Sequence, residues 1–276
     1  MEETQLMPGW YFIVVLSAIG GQGKSLFSEL VALILRSLGC DIQVFSADVQ
    51  QRLAAKLGSV HAIDIDLFDS PDDPLALLRA FSPLSLAIDQ AAESGGSIVL
   101  DTAATWDKPV VRFLCDMGLD KVIADSGGQM IVALVTTSNR DAMRALATTS
   151  DLVRAALPLA RPVWVLNERV GTVFPADFDP GLLDLEADHF AKMRAGVSEI
   201  VLPRLDDRLW QPVDRTGLNL IDFVTADPAK LAALWVDAAG RPLDRLSAAA
   251  VQRRIASWIA KMMEEASRGL RFPQAD

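Results

Sequence analysis

Residues 17–25 read Ser17-Ala18-Ile19-Gly20-Gly21-Gln22-Gly23-Lys24-Ser25. They follow the apolar run Tyr11–Leu16 and precede a stretch, Leu26–Leu38, that is apolar nearly all round. A solid apolar run predicts a strand buried on both faces. The stretch after the loop predicts a helix, with Gly39 just past its end. Strand, glycine loop and helix in that order suit a phosphate. Glycines let the backbone turn its N–H groups inward, and the helix N-terminus adds partial positive charge. Lys24 is placed to reach the β- and γ-phosphates, and the Ser25 hydroxyl to ligate Mg²⁺. Ala18 stands where the strict pattern G-x-x-x-x-G-K-[ST] has glycine. The competing explanation is a glycine-rich turn with a chance Gly-Lys-Ser. Three glycines within four residues, in a chain with only 17, weigh against it.

The same alternation continues outward. Asp41–Ser46 predicts a second strand, followed by a helix over residues 48–57. Pro74 suits the first turn of a helix running to Glu93, with Asp73 as its N-cap. Ser97–Leu100, Met130–Val135, Pro162–Leu166 and Glu199–Leu202 predict further strands, with a helix over Lys108–Met117 and helical segments elsewhere. Strands alternating with helices predict an α/β fold: a mostly parallel twisted sheet flanked by helices on both faces. The expected organisation is a nucleotide-binding domain over residues 1–226 and a helical C-terminal segment, 227–276, packed on it. In such sheets ligands sit beyond the carboxyl ends of the strands.

Two of those ends lead into aspartates. Phe45-Ser46-Ala47-Asp48-Val49-Gln50 closes one, and Ile98-Val99-Leu100-Asp101-Thr102 the other. A phosphate loop needs carboxylates to hold its metal and orient water. Asp101 follows three apolar residues, the Walker B arrangement, and is expected to contact Mg²⁺ directly or through its outer sphere. Either aspartate taken alone also suits a helix N-cap.

Taken together, these residues resemble the ParA/MinD class of P-loop ATPases, with its deviant Walker A loop. The family patterns K-G-G-x-G-K-[ST], D-x-D-x-Q and hhhD-[TN] fall on Gly20–Ser25, Ala47–Gln50 and Leu100–Thr102. The likeness extends to Val163–Asn167 and Glu199–Pro203, and so covers residues 10–225. Ile98 to Gly118, with Gly127–Val135, is most similar to the TraL-type proteins of conjugative plasmids. The resemblance implies ATP and Mg²⁺ as cofactors. It implies Asp48 as the residue that positions or activates water, and Asp101 as the Walker B residue. It assigns Asn167 and Pro203 to nucleotide binding, Asn167 by reading the adenine edge. It also implies an ATP-dependent homodimer and a protein partner in plasmid partition, mobilisation or conjugal transfer.

The departures concern catalysis. The family's signature lysine falls at Ile19, its first loop glycine at Ala18, and the first Asp of D-x-D at Ser46. Ile19 supplies no cation to the transferring phosphoryl group, where the main catalytic work lies. A weak ATPase is the expectation, with a nucleotide-binding scaffold that does not hydrolyse as the alternative. A ligase of the dethiobiotin-synthetase kind is a third; its loop carries Thr-Asp in place of Gly-Gly, and no substrate-carboxylate signature is found here.

Composition bounds the remaining classes. The chain of 276 residues carries 26 Lys+Arg and 36 Asp+Glu, a net charge of −10, and is 51% hydrophobic. That apolar fraction fills a core, and the charge excludes a globally basic nucleic-acid binder. Cys40 and Cys115 make no disulfide framework, and His61 and His189 stand outside any zinc spacing. Met1-Glu2-Glu3-Thr4 is acidic, unlike a secretory start, and the longest apolar runs fall far below the ~18 residues of a membrane span. A cytoplasmic protein is expected.

Asp64, Asp66, Asp69, Asp72 and Asp73 read as a solvated acidic loop, since an EF-hand's spacing and central glycine are missing. Trp106, just past Asp101, suits either core packing or a partner contact. Near the C-terminus, Val251, Ile255, Trp258, Ile259, Met262 and Ala266 share one helical face, bordered by Arg254, Lys261 and Arg268. Docking on the domain explains that face best, ahead of a dimer or partner contact. Glu264 and Glu265 count against a membrane. Residues 241–276 hold seven basic and four acidic side chains, a net +3. Any weak, non-specific DNA contact is expected through this C-terminal helix, at Arg245, Arg253 and Arg254.

Overall fold

The computed structural model describes residues 9–47, 52–63, 75–237 and 239–273. The readings made for Asp48, for the acidic stretch and for a helix start at Asp73-Pro74 lie outside these residues. The first strand, β1 (Trp10–Leu16), is buried along its whole length. After the glycine loop come α1 (Lys24–Ser37), β2 (Ile42–Ser46), α2 (Arg52–Leu57) and the short β3 (His61–Ala62). Next are α3 (Ala76–Ala80), α4 (Ser82–Ser94), β4 (Ser97–Asp101), α5 (Asp107–Asp116), α6 (Leu119–Asp125) and β5 (Gly128–Thr136). The chain continues with α7 (Arg140–Ala156), β6 (Arg161–Asn167), α8 (Ala187–Ala195) and β7 (Ser198–Leu202). It ends with α9 (Asp207–Asp214), α10 (Leu220–Thr225), α11 (Pro228–Leu231) and the long α12 (Arg245–Leu270).

The strands form one seven-stranded sheet in the order β3-β2-β4-β1-β5-β6-β7, and every neighbouring pair is parallel. Alternation along β1 sends Trp10, Phe12, Val14 and Leu16 to one face, and Tyr11, Ile13 and Val15 to the other. The first face is covered by α3 to α8, the second by α1, α2 and α9 to α12. This is the α/β architecture expected from the alternation of strand and helix.

Two local features differ from the expectation. The helix read as running to Glu93 is two helices, divided at Phe81. Pro83 lies in the first turn of α4, where its missing N–H costs nothing and its ring bars continuation from upstream. Phe81 itself is fully buried and stacks on Phe113 at 4.5 Å. The two-residue β3 is too short to leave a periodic signal.

Helix α12 docks through Ala248, Gln252, Ile255, Ile259, Met262, Ala266 and Leu270, spaced by three or four along one stripe. Two polar contacts fix its register. The Gln252 amide donates to the carbonyls of Phe223, Val224 and Ala226 at 2.9, 3.1 and 2.9 Å, satisfying the end of α10. The Arg161 guanidinium donates to the carbonyls of Gly269, at 3.1 Å, and Leu270. Burial lowers Arg161 to about 10, so it stays cationic at neutral pH and complements the helix's negative end. Among the described residues no helix is long and apolar enough to cross a membrane.

Close approach of α12 to the sheet requires glycine at one point. A Cβ on Gly269 would lie 2.2 Å from Cγ1 of Ile200 in β7. Gly269→Ala is therefore expected to lower stability by about 1–3 kcal/mol through overpacking, although alanine favours a helix. A urea midpoint equal to or above that of the unaltered chain would contradict this contact.

Candidate functional site

The loop between β1 and α1 is shaped by two left-handed residues, Gly21 at φ 75° and Gly23 at φ 99°. Side chains rarely adopt that conformation, which glycine enters freely. Gly23 meets a second constraint, since a Cβ there would lie 2.5 Å from Asn167 Nδ2. Gly23 is also the N-cap of α1, and it provides no side-chain cap. The first-turn N–H groups of a fourteen-residue helix thus face the cleft without a capping oxygen, with no acidic residue in that turn. Such an end favours an anion.

Side chains from neighbouring strand ends hold the loop. Gln22 Nε2 donates to the Gly20 carbonyl at 3.0 Å. Gln22 Oε1 accepts from the N–H and hydroxyl of Thr137, just beyond β5, at 3.0 and 2.7 Å. Asn167 Nδ2, at the end of β6, donates to the Gln22 carbonyl at 2.8 Å, and Asn167 Oδ1 accepts from Arg169 N at 3.1 Å. On the other side, Asp101 closes β4 with no exposure at all. Its Oδ2 accepts from Ser25 Oγ at 2.9 Å and its Oδ1 from Ser28 Oγ at 2.8 Å. A hydroxyl backed by a carboxylate is a hard oxygen donor set of the kind Mg²⁺ takes, with phosphate oxygens and waters completing the shell. No group of three or more His, Cys, Asp or Glu is gathered among the described residues.

The loop forms the floor of a cleft of about 410 Å³. Thr102, Ala103 and Ala104 line it beyond β4, and Arg52, Lys56 and Trp210 on the side of α2 and α9. Lys56 staples that side. Its ammonium lies 3.1 Å from Glu29 Oε2, 3.1 Å from Asp214 Oδ1 and 5.6 Å from the centre of the Trp210 ring. Glu29 Oε1 accepts from Leu220 N at 2.8 Å. Burial pushes the Glu29 carboxyl up, and the Lys56 charge opposes the rise. The staple joins α1, α2 and α9 to the start of α10.

Of the residues singled out from sequence, Gly20, Gly21, Gln22, Gly23, Lys24, Ser25 and Asn167 line this one cleft, with Asp101 beneath Ser25. Asp48 lies outside the described residues. Pro203 follows β7 and is not among the lining residues; its carbonyl accepts from Trp258 Nε1 at 2.7 Å. Trp258 in turn packs on Trp210 at 5.1 Å, so α12 reaches the cleft wall. The Asn167 amide is turned onto the loop backbone in this structure. Trp106 is half-buried against the core. Sequence reasoning missed Ser28, Thr137, Arg52, Lys56 and Trp210. Ser28 was within its reach, because a position three residues after Ser25 on a helix shares its face.

No family model matches the chain, and no curated protein does. Among solved structures it is similar to the MinC:MinD cell division protein complex of Aquifex aeolicus, at 13% identity and a TM-score of 0.48, over 96% of this chain and 98% of that one. It is similar to an ATP complex of Cyanothece McdA, at 12% identity and a TM-score of 0.46, over 98% and 100%. The septum site-determining protein MinD of Pyrococcus horikoshii OT3, complexed with Mg-ADP, shows 14% identity and a TM-score of 0.46, over 94% and 96%.

The Lys56 staple has a pH signature. An acid whose folded pKa is raised contributes stability below its ordinary pKa, and that contribution is lost as pH rises through the raised value. Removing the cation raises Glu29 further and leaves a buried carboxylate without its partner. Lys56→Met is expected to cost about 3 kcal/mol near neutral pH and above. The deficit should shrink as pH falls and the unpaired acid takes up a proton. Urea midpoints of both chains across that range check it; a deficit independent of pH would contradict the pairing.

Proposed function

We propose that this chain binds a nucleoside triphosphate with Mg²⁺ over the Gly20–Ser25 loop, ATP being the nucleotide that the sequence resemblance implies. One observation carries the reading: left-handed glycines bend the loop onto the uncapped end of α1, while buried Asp101 fixes the Ser25 hydroxyl. The backbone N–H groups and Lys24 would hold phosphate oxygens, and Ser25 the metal, with Asp101 orienting it. Bound Mg²⁺ would neutralise charge on the β- and γ-oxygens. Asp48 positioning water, Asn167 reading the adenine edge and Pro203 in nucleotide binding follow from the resemblance.

The output we propose is a nucleotide-controlled protein interaction through a homodimer, in plasmid partition, mobilisation or conjugal transfer. The cation missing at Ile19 favours slow hydrolysis. A second reading, a scaffold that binds nucleotide without turnover, is favoured by the same residue, and a Mg-ATP turnover assay separates the two. Arg245, Arg253 and Arg254 are exposed on α12 and suit a weak contact with DNA. The apolar stripe of α12 is engaged on the sheet, which argues against its use on a membrane.

Lys24→Ala is expected to weaken Mg-ATP binding about a hundredfold or more, since charge-assisted hydrogen bonds to phosphate are among the strongest a side chain makes. Calorimetric titration of the folded variant reads this directly. ATP affinity that survived the change would contradict the phosphate-loop reading.

A further inference from the structure

The cleft carries more positive charge than the loop alone supplies. Besides Lys24 it is lined by Arg52, Lys56 and Arg169. Two of these are committed to carboxylates. Lys56 is held by Glu29 and Asp214, and Arg169 by Asp207 at 3.0 Å. Arg52 differs. Its side chain is exposed, and its guanidinium is paired with none of the described residues. It opens α2, and one turn later Lys56 ties that helix to α1 and α9. The backbone that presents Arg52 is thereby anchored at the cleft rim.

Topology decides which end of a bound nucleotide Arg52 faces. The loop follows β1, whose two neighbours are β4 and β5. Asp101 and the Ser25 hydroxyl mark the β4 side, where a metal and the terminal phosphate belong. Strand β2 pairs with the far side of β4, Ser46 opposite Asp101, and α2 is the first described helix after it. Asn167 and Arg169 follow β6, on the opposite side of the loop. A nucleotide with its terminal phosphate towards Asp101 would have its nucleoside towards β6, on the far side of the loop from the strand that leads into α2.

We infer that Arg52 is a contact for the terminal phosphate, and that it lets this cleft distinguish a triphosphate from a diphosphate. The inference rests on the nucleotide reading above. A guanidinium presents a planar fork that fits two phosphate oxygens at once, stays charged at any working pH, and gives up little hydration when it binds. An arginine so placed adds affinity only when a third phosphate is present. Ser17, Ala18 and Ile19 at the start of the loop offer no cation that would do the same.

The test is calorimetric titration of the full chain, with Mg²⁺, using ADP and a non-hydrolysable ATP analogue. Arg52→Gln is expected to weaken the triphosphate about tenfold while changing ADP less than about twofold. Arg52→Lys should retain part of the discrimination, since it keeps the charge and loses the fork. Arg112→Gln, an exposed change on α5 outside the cleft, should leave both affinities as they are. Equal loss for the two nucleotides, or no loss for either, would overturn the inference while leaving the nucleotide reading intact. Failure of the unaltered chain to bind either nucleotide would overturn the nucleotide reading itself, and the role of Arg52 with it.

Discussion

The bond from which the site is built is the one between Asp101 and the first turn of α1. A carboxylate with no exposed surface, at the end of a central strand, needs hydrogen-bond donors close by. Two of its donors are the hydroxyls of Ser25 and Ser28, one on each oxygen. Because those serines lie three apart on one helical face, the contact fixes both the rotation of α1 and its distance from the sheet. The loop upstream must then cross from Leu16 to a helix already set in place. Gly21 and Gly23 make that crossing in left-handed conformations, and it leaves the helix N-terminus open towards the cleft.

The loop is restrained from both sides of β1. Thr137 and Asn167, beyond β5 and β6, grip Gln22 by its side chain and its carbonyl. Thr102, beyond β4, returns a hydroxyl to the Val15 carbonyl at 2.8 Å, and Thr105 N reaches the Ala18 carbonyl at 3.2 Å. A binding loop held in this way is pre-organised, so little ordering is left for a ligand to impose. The wall opposite is different in kind. It consists of charged and aromatic side chains on α2 and α9, held by the Lys56 staple and backed by Trp258 of α12. The C-terminal helix thus belongs to the site's frame, although its sequence carries none of the loop chemistry.

Much of this was legible in the sequence because it is local. The apolar run Tyr11–Leu16, the glycines after it and the helix beyond are contiguous, and so is the run that ends at Asp101. What sequence could not show is long-range. Gln22 meets Thr137 across 115 residues, and Asn167 meets Gln22 across 145. The adenine-reading role drawn for Asn167 came from resemblance, whereas its amide here holds the loop backbone. Lys56 lay within a predicted helix and gave no sign of its partners, because Glu29 and Asp214 come from other elements. Arg52 reads like any surface arginine in the sequence; only the fold brings it to the lining of this cleft. The break at Phe81, in contrast, could have been read from Pro83 alone.

In the proposed function phosphate is recognised first, through the loop amides and Lys24, and the rest of the nucleotide second. The most direct measurement is displacement of a fluorescent ATP analogue from the unaltered chain, in Mg²⁺, by pyrophosphate and by adenosine in parallel. The analogue is expected to bind once per chain, and pyrophosphate to displace it where adenosine at the same concentration does not. Displacement by adenosine but not by pyrophosphate, or no binding of the analogue at all, would contradict that order of recognition.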